Sequence, residues 1–114
     1  NNKTMAITYT WDTKTVDTYP TKSGESDVIF KVYWKLDGVD DTAEKNAAYA
    51  TGAVDLDTSD LSSFTAFADV TESDVDGWVQ AEIGADMINI YRSGIESEIT
   101  EKATPTVVRK YIGE

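Results

Sequence analysis

The sequence predicts an α+β domain: an antiparallel sheet of three or four strands in meander order, covered on one face by two C-terminal helices. Three observations predict it. Val28, Phe30, Val32, Trp34 and Leu36 alternate with more polar residues at period two, the mark of a strand with one buried face. After Asp57 the period changes, and Ile88, Tyr91, Ile95 and Ile99 recur at spacings of three and four, as on a helix. The strand patterns also precede the helical ones instead of alternating with them, which is the order of an α+β chain.

Ile7, Tyr9 and Trp11 share one face of a first strand, opposite Thr8, Thr10 and Asp12. Thr13 to Asp27 is rich in Thr, Asp, Ser and Gly and carries Pro20, so a loop or an irregular edge segment is expected there, with Val16 and Tyr19 docked on the sheet. Val28 to Leu36 is the strongest strand, and Asp37-Gly38 supplies turn chemistry after it. Val39 to Lys45 reads as a long hairpin loop. Asn46 to Asp57 is the third strand, with Ala48, Ala50, Gly52, Val54 and Leu56 on one face. Small residues there leave room for a helix or large aromatics, or Gly52 marks a bulge. A meander packed on one side follows, since antiparallel sheets commonly keep their other face wet.

Thr58 to Asp69 is a connection, with Phe64 and Phe67 as expected anchors onto the core. Thr71 stands where an N-cap belongs, with Asp74 at the third helical position as in a capping box, and Val70 with Val75 fits a hydrophobic staple. Val75, Trp78, Val79 and Ile83 then line one helical face, and Gly84 offers a stop. Asp86 is expected to cap a second helix running to about Ala103, ended by Pro105. Gly94 weakens that helix by roughly 1 kcal/mol relative to Ala, and close packing would justify it. The tail, Thr106 to Glu114, reads as a short strand or an arm.

At 114 residues the chain suits one domain, expected over 5–114. Met5 reads as a natural initiator, with Asn1 to Thr4 as introduced residues or an upstream extension. With 40% hydrophobic residues, among them three Trp and six Tyr, the chain can build a core and is not expected to be disordered. It has no Cys and no His, which excludes disulfides and thiolate and makes Ser-His-Asp chemistry and the usual zinc sites very improbable. No apolar run approaches the roughly 18 residues that span a bilayer, so no membrane is expected. The start carries neither the basic end nor the apolar stretch of a signal peptide. A net charge of −11 opposes direct binding to nucleic-acid phosphates, which takes clustered Lys and Arg. It fits solubility, or mimicry of DNA by an ordered array of carboxylates.

Tyr9-Thr10-Trp11, Val32-Tyr33-Trp34, Phe64-Thr65-Ala66-Phe67, the stretch Val70 to Val79 and Ala103-Thr104-Pro105 together resemble a family of small uncharacterised proteins encoded by tailed bacteriophages, many from marine and freshwater sources. The Thr-Glu-x-x-Val-x-Gly-Trp-Val helix start is the most specific part. Relatives often end in a short Pro-Trp sequence, which this chain lacks. The resemblance implies a phage origin, with no activity and no functional residues to carry over.

Candidate sites have simpler structural explanations. Asp55, Asp57 and Asp60 form an Asp-x-Asp-x-x-Asp run that can meet calcium, yet the central Gly and closing Glu of a calcium loop are missing, so a solvated turn is expected. Turn chemistry suffices for Asp37, Asp40 and Asp41 too. Paired carboxylates can hydrolyse glycosides, but 21 acidic residues make chance pairs inevitable. Trp11, Trp34 and Trp78 each lie on an apolar face, where packing precedes ligand stacking. No glycine-rich phosphate loop is present. No catalytic, cofactor-binding or metal residue is therefore assigned, and no enzyme or cofactor is expected. The expected role is a phage accessory or minor structural or assembly protein, in the host cytoplasm or the virion, acting through contacts with phage or host proteins. The alternative is an acidic inhibitor of a host nucleic-acid enzyme. A homo-oligomer, most simply a dimer, is expected through the tail.

Overall fold

The computed structural model describes residues 6–113; Asn1 to Met5 and Glu114, with the expectations about the chain start, lie outside them. Three strands, β1 (Ile7–Lys22), β2 (Glu25–Asp40) and β3 (Ala47–Asp55), form an antiparallel meander in the order β1-β2-β3. A 3-10 turn at Phe67–Asp69 leads to α1 (Glu72–Ile83) and α2 (Ala85–Ala103). Both helices pack on one face of the sheet, α1 mainly against β1 and α2 mainly against β3. The fold is α+β.

The core is where the period-two faces meet the helical stripes. Val32, Trp34, Leu36 and Ala48 from the sheet close on Val75, Val79, Ile95 and Ile99 from the helices. The opposite sheet face is wet: Lys31 faces Asp55, Lys35 faces Asp37, and the Tyr33 hydroxyl donates to Asp17 at 2.7 Å. Thr71 caps α1 as its spacing predicts. The Asp74 amide donates to the Thr71 hydroxyl at 3.1 Å, and the Thr71 amide donates back to the Asp74 carboxylate at 3.0 Å.

The hairpin is longer than the sequence reading allows. Thr13 to Asp27 is no loop: β1 continues to Lys22 and turns back through Ser23 (φ 50°) and Gly24 (φ 83°). Positive φ at both residues is the two-residue turn that matches strand twist. Its polar composition reflects a ribbon paired on one side and wet around much of its surface. Pro20 falls at a gap in the pairing of an edge strand, between the Tyr19–Val28 and Thr21–Ser26 pairs, where a residue without an N–H is tolerated. Register shifts between Asp12 and Thr15, and between Asp17 and Thr18, bend this edge. Thr13 continues the inward face of Ile7, Tyr9 and Trp11; it is buried and donates to Asp76 of α1 at 2.6 Å, and the first shift then changes the parity so that Val16 also packs on the core.

Asp37-Gly38 is likewise not a turn; it lies inside β2, which runs on to Asp40. A Cβ on Gly38 would stand 2.6 Å from Cγ2 of Ile95 and 3.2 Å from Cγ2 of Ile7, so packing against α2 dictates the glycine. Gly52 is a small residue facing a large one, with no bulge between β2 and β3. Asp86 does not cap α2: the N-cap is Gly84 (φ 87°), and no side-chain cap bond is made. Two helices joined by a single residue leave no extended cap position for Asp86. Gly94 meets nothing within 4 Å of a would-be Cβ, so close packing is not its reason. The tail after Ala103 forms no strand among the described residues, because both sheet edges stay without it.

The molecule is long for its mass. Its extents are 67 × 35 × 23 Å and its radius of gyration is 19.2 Å, against about 13 Å for a compact chain of about 100 residues. The distal hairpin, where β2 has outrun β3, accounts for part of this length, and the tail adds to it.

Candidate functional site

Beyond Asp55 the chain leaves the sheet and crosses toward α1, and a cleft of about 400 Å³ opens between that crossing, the start of β2 and the end of α1. Its floor is apolar, made by Val28, Leu56, Phe64, Phe67 and Trp78. Its rim carries Asp27, Asp57, Asp60 and Glu82, and among the described residues no Lys or Arg lines it. A volume of this order lies within the range of clefts that hold ligands or peptide side chains.

Local chemistry holds the crossing in place. The Asp57 carboxylate accepts from the Ser59 amide at 2.9 Å, and the Asp60 carboxylate accepts from the Ser62 amide at 2.9 Å, two successive side-chain turns. Hydrogen bonds from the Ser59 hydroxyl and amide hold Asp57 below its ordinary pKa, and those from the Ser62 amide and hydroxyl do the same for Asp60. Both rim groups therefore stay negative at neutral pH. The Leu56 amide donates to the Phe30 carbonyl at 2.8 Å, carrying the ladder one residue past β3.

The Asp55-Asp57-Asp60 run is divided by the fold. Asp55 lies on the wet sheet face beside Lys31, at 4.0 Å, whereas Asp57 and Asp60 edge the cleft. Among the described residues, no group of three or more His, Cys, Asp or Glu gathers to hold a metal ion. Asp37 sits in β2, and Asp40 closes the β2–β3 turn. Its buried carboxylate accepts from the amide and hydroxyl of Thr42 at 3.1 and 2.8 Å, and from the amide and side-chain NH₂ of Asn46 at 3.1 and 2.9 Å. Burial pushes the Asp40 carboxyl up, but the bonds from Asn46 and Thr42 outweigh it and hold the group below its usual range. Asp40 is thus a structural acceptor.

Trp34 is a core residue, wedged edge-on against Trp11 and Tyr91 at ring separations of 5.7 and 5.0 Å. Trp78 packs on the core and also lines the cleft. Phe64 and Phe67 depart from expectation: they wall the cleft without joining the core cluster, and Phe67 is 47% exposed. Phe pairs near a helix start signal apolar contact, but whether that contact is core or cleft depends on how the crossing bends.

A family described as a domain of unknown function, DUF7936, matches residues 6–111. The chain belongs to the DUF7936 family. The DUF7936 match takes in the sheet, both helices, the cleft and most of the tail, so these are parts of one family unit. No curated protein and no solved structure shows significant similarity to the chain.

Proposed function

We propose that this DUF7936 protein is a non-enzymatic accessory of a tailed bacteriophage, a minor structural or assembly component that works through protein–protein contacts in the host cytoplasm or the virion. One observation carries the contact role: an apolar cleft ringed by carboxylates on an elongated body. Such a site suits apolar side chains flanked by basic ones, as a protein segment presents them. The phage setting rests on the sequence resemblance alone.

Carboxylates stand on both sides of the sheet, Asp17, Asp37 and Asp55 on the wet face and Asp57, Asp60 and Glu82 at the cleft. That distribution favours contacts at a defined cleft over imitation of a phosphate array. Affinity capture from infected cells, with mass spectrometry of purified particles, tests the role. Specific phage or host proteins should be recovered. Their absence from capture, together with absence of the chain from particles at every stage of assembly, would end the proposal.

A further inference from the structure

The tail is as unusual as the cleft. Val107, Val108, Tyr111 and Ile112 are apolar, yet Val107 is 81% exposed and Ile112 fully so. Its departure from α2 is nonetheless fixed. The Glu101 carboxylate accepts from the amide and hydroxyl of Thr106 at 2.7 and 2.8 Å, and from the Val107 amide at 3.4 Å. Between the two apolar pairs stand Arg109 and Lys110. The tail therefore reads apolar–basic–apolar, the chemical complement of an apolar floor with an acidic rim.

It cannot fill its own cleft. Lys102, at the end of α2, donates to the Ala47 carbonyl, so the tail leaves beside the first residue of β3. The cleft takes Leu56 and Asp57, just past the last. Nine strand residues separate these ends, roughly 30 Å at the strand rise. From Lys102 to Val108, six residues on, a fully extended chain covers only about 20 Å, so the first apolar pair cannot reach the floor. A second copy lying antiparallel along the first places each tail beside the other's cleft, and both exchanges close in one symmetric dimer.

We infer that the cleft is the receptor for the Thr106–Ile112 tail of a second copy of this chain, Arg109 and Lys110 meeting the rim carboxylates while the flanking apolar side chains enter the floor. The inference deepens the contact role proposed above by naming the partner. It fails on self-association alone, whereas the contact role fails on capture and particle composition.

Sedimentation equilibrium of the full chain at physiological salt is the test, with two full-length variants beside it. Asp57→Asn with Asp60→Asn keeps oxygen acceptors for the Ser59 and Ser62 amides but removes two rim charges. Val107→Ser with Val108→Ser removes apolar contact from a segment outside the core. The unaltered chain should dimerise, and each variant should dimerise about tenfold more weakly, about 1.4 kcal/mol, while circular dichroism at neutral pH shows that each is still folded. The Asn pair is the sharper case, because it makes the chain less negative, and relief of general repulsion would tighten association. A monomeric unaltered chain overturns the inference. So does a dimer that is unchanged by the Ser pair, or one that is unchanged or tightened by the Asn pair.

Discussion

The indole of Trp34 lies against the backbone of Gly52 on the neighbouring strand: a Cβ at position 52 would stand 2.6 Å from Cζ2 and 2.8 Å from Cε2 of the ring. Trp11 and Tyr91 hold the ring from other sides, so it has little freedom to retreat. Trp34→Ala should cost roughly 3–5 kcal/mol, the usual cost of emptying a large aromatic site. Gly52→Ala should cost about 1–3 kcal/mol by overpacking. In the double variant most of the Gly52→Ala cost should vanish, since contacting residues couple. Urea unfolding of the cycle measures this, and simple additivity would refute the wedge.

Thr71 joins α1 to the connection through a reciprocal pair of bonds with Asp74. Thr71→Ala should destabilise by about 1 kcal/mol, as loss of an N-cap acceptor does. Thr71→Ser, which keeps the hydroxyl, should retain most of the stability. Equal losses in both variants would show that the hydroxyl is not the cause.

Gly94 is the opposite kind of glycine. It is helical, exposed and faces open space, so Gly94→Ala should stabilise by roughly 0.5–1 kcal/mol through helix propensity and a less free unfolded chain. Calorimetry should register a higher Tm. A lower Tm would mean that a partner, such as a second copy, packs on α2 there.

Acid should loosen the β2–β3 turn. Asp40 titrates below its ordinary value when folded, so its contribution is complete above the unfolded carboxyl pKa of about 3.9. It is lost as pH falls through the lower folded value. Asp57, Asp60 and Glu101 are depressed in the same direction by their hydrogen bonds and add to the same window. Asp40→Asn should reduce stability at neutral pH and flatten its fall below about pH 4. Parallel pH profiles for the variant and the unaltered chain would remove Asp40 from this role.

Millimolar calcium should leave Tm within about 2 °C of its value in chelator, the small shift of nonspecific screening. Asp55 faces Lys31, and Asp57 and Asp60 already accept from Ser59 and Ser62. A rise well beyond that range would show that the Asp run closes on the ion after all.

Much of the fold was legible in the sequence, because its determinants act within a few residues. Alternation placed Val28, Val32, Trp34 and Leu36 on the inner face of β2. Three- and four-residue spacing placed Val75 and Val79 on α1 and Ile88, Ile95 and Ile99 on α2, all buried. The Thr71–Asp74 spacing marked the start of α1, and Gly84 marked its end. What the tertiary structure alone decided were matters of distance across the chain. Thr13 to Asp27 has the composition of a loop, yet it is the end of a hairpin because its strands pair with each other and nothing else is needed. Gly38 and Gly52 look alike on paper to Gly94, but Ile95 crowds the first, Trp34 the second and nothing the third. The cleft was legible only in fragments, since its lining runs from Asp27 to Glu82 and no local pattern joins them. Backbone propensity and capping are settled by neighbours in sequence, whereas a glycine's purpose and a cleft's existence are settled by which distant side chain arrives there.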